Sequence, residues 1–143
     1  MSTLTLTGGC LCGAVRFEIR GAPVWAGHCH CESCRRFTGA ALTSFLGVAD
    51  HALTLQQGDL THYATDDGVA RGFCADCGAS LTYAAEHFPD YIQIHLGALD
   101  TPEAVEPIAH VHCSEQLPWL RVHDNLPRYA DSAADTDWQA APD

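Results

Sequence analysis

The chain contains no lysine. Its seven basic residues are all arginine, set against eighteen aspartates and glutamates for a formal net charge of −11. A nucleic-acid-binding domain ordinarily presents a basic face, and seven scattered arginines do not build one. The same sign of charge disfavours an anionic membrane surface. No stretch approaches the roughly 18 apolar residues of a membrane-spanning helix. The opening Met1-Ser2-Thr3-Leu4-Thr5-Leu6-Thr7 has neither the positive segment nor the apolar run of a secretory signal. The expected setting is therefore a reducing cytoplasm, and the expected partners include neither nucleic acid nor membrane. Long helical periodicity and internal repeats are missing as well. A chain of 143 residues suits one domain that can bury a sizeable core.

What the chain does have is cysteine: eight in all, seven of them in three tight clusters. Cys10 and Cys12 stand in Gly9-Cys10-Leu11-Cys12-Gly13. Cys29, Cys31 and Cys34 stand in Cys29-His30-Cys31-Glu32-Ser33-Cys34-Arg35. Cys74 and Cys77 stand in Phe73-Cys74-Ala75-Asp76-Cys77-Gly78. Such short spacings let two thiolates reach one ion from a single turn of backbone, as tetrahedral zinc requires. Two pairs make a closed four-sulfur site, and the triplet then offers three ligands and one open position. A closed set reads as structural and an open one as catalytic, which implies two zinc ions per chain. By spacing alone, Cys31 and Cys34 could equally pair with Cys74 and Cys77 as a zinc ribbon. Disulfides are the competing reading, but they belong to secreted chains and do not require partners one or two residues apart.

The remaining pattern is mainly β. From Ala14 to Arg20 the residues Val15, Phe17 and Ile19 alternate with Arg16, Glu18 and Arg20, the mark of a half-buried strand. Short strand-like runs follow at Leu42–Val48, Leu53–Leu55, Leu60–Ala64 and Val69–Phe73, punctuated by Gly47, Gly58 and Asp66-Asp67-Gly68. Between Tyr91 and Gly97, Ile92, Ile94 and Leu96 alternate with Gln93 and His95. Ala109–Cys113 is a further short run. One helix is expected, from Glu32 to about Phe37. Its first turn carries Cys34, where the helix dipole favours a thiolate. Residues 1–129 form the expected domain, and 130–143, rich in aspartate and small residues, an acidic disordered tail.

The three cysteine clusters, in this order and spacing, resemble the glutathione-dependent formaldehyde-activating enzyme family, also called the centromere-protein-V domain. His110-Val111-His112 near Leu117-Pro118-Trp119-Leu120 resembles its closing segment, and the likeness spans about residues 4–128. The resemblance implies a β-tent fold of antiparallel sheets around a structural zinc held by Cys10, Cys12, Cys74 and Cys77. It implies a second, solvent-open zinc on Cys29, Cys31 and Cys34 as the catalytic centre. The implied reaction is the addition of glutathione to formaldehyde, run by a carbon–sulfur lyase.

The ligand chemistry is compatible with that reaction. Three thiolates around Zn2+ sum to −1, which makes a weaker Lewis acid than a zinc held by histidines. Such an ion suits a soft ligand such as a small-molecule thiol, which it keeps as a nucleophilic thiolate. Arg35 and Arg36 are candidates for a substrate carboxylate. His110 and His112, two apart, are expected to share one strand face, either packed or at the rim of the site. His30 reads as a supporting or exposed group rather than a ligand, Trp119 as core, and Cys113 as a buried free thiol. The nine histidines otherwise show no ligand spacing. A non-catalytic zinc module that binds a partner is the alternative function. It would fit a basic extension better than an acidic tail.

Overall fold

The structure is a computed structural model and describes residues 5–132. Strands β1 (Thr5–Gly9), β2 (Arg16–Arg20) and β5 (Leu53–Gln57) form an antiparallel sheet in the order β1-β2-β5. The larger sheet has the order β10-β3-β4-β9-β8-β7-β6. Its members are β3 (Trp25–Cys29), β4 (Thr43–Ala49), β6 (Thr61–Ala64), β7 (Val69–Phe73), β8 (Ser80–Ala85), β9 (Tyr91–His95) and β10 (His110–Val111). All of its pairings are antiparallel except β10 with β3. The helix α1 (Glu32–Thr38) lies between β3 and β4. No helix among the described residues is long and apolar enough to cross a membrane.

Alternation builds the main core. Phe17 and Ile19 of β2 are buried with Val15 and Leu6, and meet Leu46, Val48, Leu81 and Ile94 of the larger sheet. Each such side chain contributes about 1.5–3 kcal/mol by leaving water. Cys10 and Cys74 belong to this core. A second cluster of Trp25, Cys29, Cys34, Phe45 and Val111, flanked by Tyr83 and Phe88, supports the triplet of cysteines.

Several expectations change. Strands β1, β3 and β8 carry no clear sequence signal, because Gly8, Gly9, Gly27, Ala84 and Ala85 dilute their alternation. The strand expected over Ala109–Cys113 shrinks to His110–Val111, because His112 takes a left-handed conformation at φ 54° and Cys113–Glu115 forms a 3-10 turn. His110 and His112 therefore do not share a face. Trp119 is not core but 69% exposed, in the turn closed by Leu120 N–H to Leu117 O at 3.0 Å. The boundary expected after residue 129 falls within bonded chain. Asp131 O accepts from His112 N–H at 2.8 Å and Ala130 O accepts from Ser114 N–H at 3.2 Å. The rest of the expected tail, with Trp138, lies outside the described residues.

His95 was expected on the polar face of its strand but is only 7% exposed. β9 is central in a sheet covered on both sides at this end. The His95 ring stands 4.6 Å from Phe45 and 6.2 Å from Phe37. Burial, with the Arg71 charge adding, pushes the imidazole down to about 4. A histidine in the unfolded chain protonates near 6.5. The folded value is the lower one, so the contribution of neutral His95 is fully present above that pH. It is lost as pH falls from about 6.5 to about 4, by roughly 3 kcal/mol. Denaturant titrations at pH 7.5 and pH 4.5 should show His95→Leu losing less stability on acidification than the wild type. Equal losses would assign the acid sensitivity to other groups.

Candidate functional site

Two turns of similar design bring four sulfurs together. Cys10 follows β1, and Gly13 N–H returns to Cys10 O at 3.3 Å. Cys74 follows β7, and Gly78 N–H returns to Cys74 O at 2.8 Å. In each turn the residue after the second cysteine is left-handed, Gly13 at φ 86° and Gly78 at φ 77°, and glycine adopts this at no steric cost. The sulfurs of Cys10, Cys12, Cys74 and Cys77 all lie within 4.8 Å of one another. Val15 N–H donates to Cys10 Sγ at 3.2 Å. Burial opposes ionisation of Cys10. The Val15 N–H and the neighbouring thiols outweigh it and lower the group to about 6. At Cys12 the Ala14 N–H pulls the other way, but the proton shared with Cys10 holds the thiol up at about 12.

The second group forms where β3 runs into α1. Cys29 ends the strand, Cys31 is the N-cap and Cys34 lies in the first turn. Their sulfurs also lie within 4.8 Å of one another. Cys31 Sγ accepts from Cys34 N–H at 3.3 Å, so a sulfur performs the usual task of a capping oxygen. Hydrogen bonds from the Cys29 and Cys34 thiols, against the cost of burial, pull Cys31 down to about 2. Cys29 is pushed far up because it donates to Cys31, with Cys34 and burial adding to the effect. One thiolate forms readily in this trio and a second does so only at great cost. A cation among the sulfurs removes that cost, so both groups fit a soft divalent metal.

The triplet opens into a cleft of about 300 Å³. Trp25, Phe45, Tyr83 and Val111 give it apolar walls, and Asp67, His87, Gln93, His112, Glu115 and Ser132 give polar lining. Arg71 of β7 also lines it, only 7% exposed, and its Nη1 donates to Cys34 Sγ at 3.4 Å. The guanidinium lies 5.0 Å from the Tyr83 ring centre and 5.5 Å from that of Phe37. Burial raises the Tyr83 hydroxyl to about 12, with Arg71 opposing.

The other candidates are distributed differently. Arg36 is exposed and pairs with Glu32, Nε to Oε2 at 2.8 Å. The Arg35 Nε is buried without a hydrogen-bond partner, and neither arginine lines the cleft. His110 is fully buried outside the cleft, its Nδ1 2.8 Å from His30 Nε2 and its Nε2 2.9 Å from Asp124 Oδ2. His30 is not exposed but buried, at 1% exposure, and its ring bonds to His110 rather than joining the sulfurs. Cys113 is half-buried, its thiol raised by burial, and stands apart from both sulfur groups. Sequence reasoning missed Arg71. The available signal was a charge in phase with inward-facing Val69, in a strand that leads directly to Cys74.

These features define a β protein with two cysteine groups able to hold metal, one of them beside a cleft. The chain belongs to the glutathione-dependent formaldehyde-activating enzyme family, whose profile matches residues 5–115. It is 27% identical over 130 residues to a Halomonas elongata protein that carries the provisional name glutathione-dependent formaldehyde-activating enzyme. That alignment covers 83% of this chain and 82% of the relative. It is also 27% identical over 77 residues to an uncharacterised lyase of Schizosaccharomyces pombe, covering 54% of this chain and 56% of that protein. The crystal structure of a Rhodobacter sphaeroides protein shares the fold with a TM-score of 0.56 at 21% identity, over 86% of this chain and 98% of that one.

Arg71→Met should cost about 2 kcal/mol in urea denaturation. It removes a buried charge-assisted hydrogen bond and two cation–π contacts. Arg71→Lys should recover only part of this, since an ammonium cannot lie flat on Tyr83 while donating to Cys34. Full recovery by lysine would reduce the role of Arg71 to its charge.

Proposed function

We propose that the chain is a zinc-dependent carbon–sulfur lyase that joins a small thiol of the glutathione type to an aldehyde such as formaldehyde, and cleaves the adduct in reverse. The observation that carries this reading is the Cys29–Cys31–Cys34 group at a cleft whose buried cation, Arg71, touches one of the sulfurs. The family supplies the thiol and the aldehyde. In this reading Cys10, Cys12, Cys74 and Cys77 hold a structural zinc, and the triplet holds a second, catalytic one. When bound, that second ion supplies an open position where a substrate thiol is kept as a thiolate.

The chain's own residues do the rest. Three thiolates and a divalent ion leave one negative charge, and Arg71 neutralises it locally. By donating to Cys34 Sγ it also draws electron density from the ligand set. As the carbon–sulfur bond forms, the carbonyl electron pair moves onto oxygen. Arg71 offers positive charge to that developing alkoxide. His112 lines the same cleft and, in its protonated form, delivers the proton that completes the hydroxymethyl product, solvent then replacing it with one equivalent to that released by the thiol; in the reverse direction the neutral ring removes it. Glu115 Oε2 lies 3.6 Å from His112 Nδ1, close enough to pair with the ring when it is protonated. The substrate-binding part expected of Arg35 and Arg36 passes to Arg71, and His110, outside the cleft, takes no part in this reaction.

Native mass spectrometry of protein prepared without chelator should find two zinc ions that survive dialysis. Cys74→Ser should destabilise the whole domain by several kcal/mol, because metal binding there is coupled to folding. Cys31→Ser should leave a folded chain with one zinc. The opposite pattern in thermal melts would reverse the two roles.

Calorimetry of glutathione binding, run in two buffers of different ionisation enthalpy, should show proton release as the thiol ionises. Binding should vanish in Cys31→Ser and weaken roughly ten- to a hundred-fold in Arg71→Met. S-methylglutathione cannot supply a thiolate and should bind far more weakly. Equal binding of the blocked and free forms would show that sulfur does not reach the metal and would refute this mechanism.

A further inference from the structure

We propose that His28, His110 and Asp124 form a third metal site, separate from both sulfur groups, for a borderline first-row divalent cation of the zinc class. The donor atoms of these three residues lie within 4.8 Å of one another. The fold, not the sequence, assembles them. Parallel pairing of β10 with β3 sets His110 beside His28, with ring centres 4.7 Å apart, and the chain returns fourteen residues later with Asp124.

Each of the three has its outward atom held by a further partner, as metal ligands require. His28 Nδ1 lies 2.7 Å from Ser44 Oγ, which leaves Nε2 as its free donor. His110 Nδ1 lies 2.8 Å from His30 Nε2, which leaves Nε2 on the side of Asp124. Asp124 Oδ1 accepts from Leu126 N–H at 3.2 Å and from Arg128 Nη2 at 3.4 Å, which leaves Oδ2 at 2.9 Å from His110 Nε2. Two imidazole nitrogens and one carboxylate oxygen make a ligand set common among first-row divalent metals, with further positions open to water. Binding displaces the proton between His110 and Asp124. Nδ1 of His110 then carries the ring's hydrogen and donates it to His30 Nε2, and the displaced proton ends on His30 Nδ1, a buried atom with no other hydrogen-bond partner.

The competing explanation is a structural pin that fastens the segment around Asp124 to β10. A pin needs only His110 and Asp124. It does not account for His28, a half-buried imidazole whose hydrogen bond runs the other way, to Ser44. Asp124, with 27% of its side chain exposed, provides the path by which an ion enters. With three ligands and one carboxylate, the site should bind more weakly than either sulfur group, so its ion would be lost on dialysis.

The test is a titration of tag-free, zinc-saturated and dialysed protein with cobalt(II) chloride, followed by calorimetry and by absorption. The expected result is one further equivalent with the weak visible bands of a nitrogen and oxygen site and no thiolate-to-cobalt charge-transfer band. His28→Ala and Asp124→Asn should each weaken that equivalent at least tenfold. Asp124→Asn keeps a hydrogen-bond acceptor for His110, so a pin would survive it and a metal site would not. No further equivalent in the wild type would overturn the proposal, whatever the folding of the variants. So would an equivalent that persists in both variants, or one that carries the thiolate band.

Discussion

Thiols crowded within 4.8 Å of one another cannot all ionise without a cation among them, and the described architecture is arranged around two such crowds. The four-sulfur group lies where the sheets meet. Cys10 leaves the end of β1 in the small sheet and Cys74 leaves the end of β7 in the large one, and both are buried in the same core as Phe17, Leu46 and Ile94. The three-sulfur group lies at the other hydrophobic cluster and joins β3 to α1 through the Cys31 cap. A metal in either group would therefore act on tertiary structure as well as on the sulfurs themselves. Without one, the protons redistribute as the divergent Cys29 and Cys31 thiols indicate, with one group far up and its neighbour far down.

Positive charge is scarce in this chain, and its placement is informative. Arg16 lies beside Cys10, close enough for the two to interact, and is held in place by a two-pronged contact with Asp100. Arg71 is buried against Cys34. Two of the seven arginines thus stand at the two sulfur groups, and a third, Arg128, lies beside the lone Cys113, in a protein of net charge −11. The two sites differ in how much cation the protein itself provides. At the four-sulfur group the arginine is shared with an aspartate. At the triplet Arg71 lies over the rings of Phe37 and Tyr83 and has no carboxylate partner among the described ion pairs.

Much of this was legible from spacing and alternation. The three cysteine clusters, the half-buried strand through Phe17 and Ile19, and the short helix from Glu32 can be read from local sequence, because each depends on neighbours a few residues away. What could not be read is what long-range register decides. Trp119 follows a proline in a turn, and nothing local distinguishes an exposed tryptophan there from a packed one. His110 and His112 have the spacing of one strand face, but the chain leaves the strand between them. His28 and His110 are 82 positions apart in sequence and adjacent only because β10 pairs parallel to β3. Arg35 and Arg36 follow the triplet directly, yet the helix directs them away from the cleft. Arg71 arrives from a strand whose partners are β6 and β8.

The shortest strand has the largest consequences. β10 contributes two residues to the sheet, and the parallel pairing of Val111 with Cys29 delivers the chain to the edge of the triplet. Beyond Val111 the chain does not continue as a strand through His112. Instead His112 adopts φ 54°, a region that costs a non-glycine residue on the order of 1 kcal/mol. The cost is offset by backbone hydrogen bonds on both sides of the turn, from His112 N–H to Asp131 O at 2.8 Å and from Cys113 N–H to Tyr129 O at 3.0 Å. The same turn puts the imidazole into the cleft lining and brings Glu115 alongside it. The strain at His112 is held by this surrounding structure, and the strained residue is one that lines the cleft; the other left-handed non-glycine residue, Asp90 at φ 70°, lies outside the cleft, so strain alone does not mark the site.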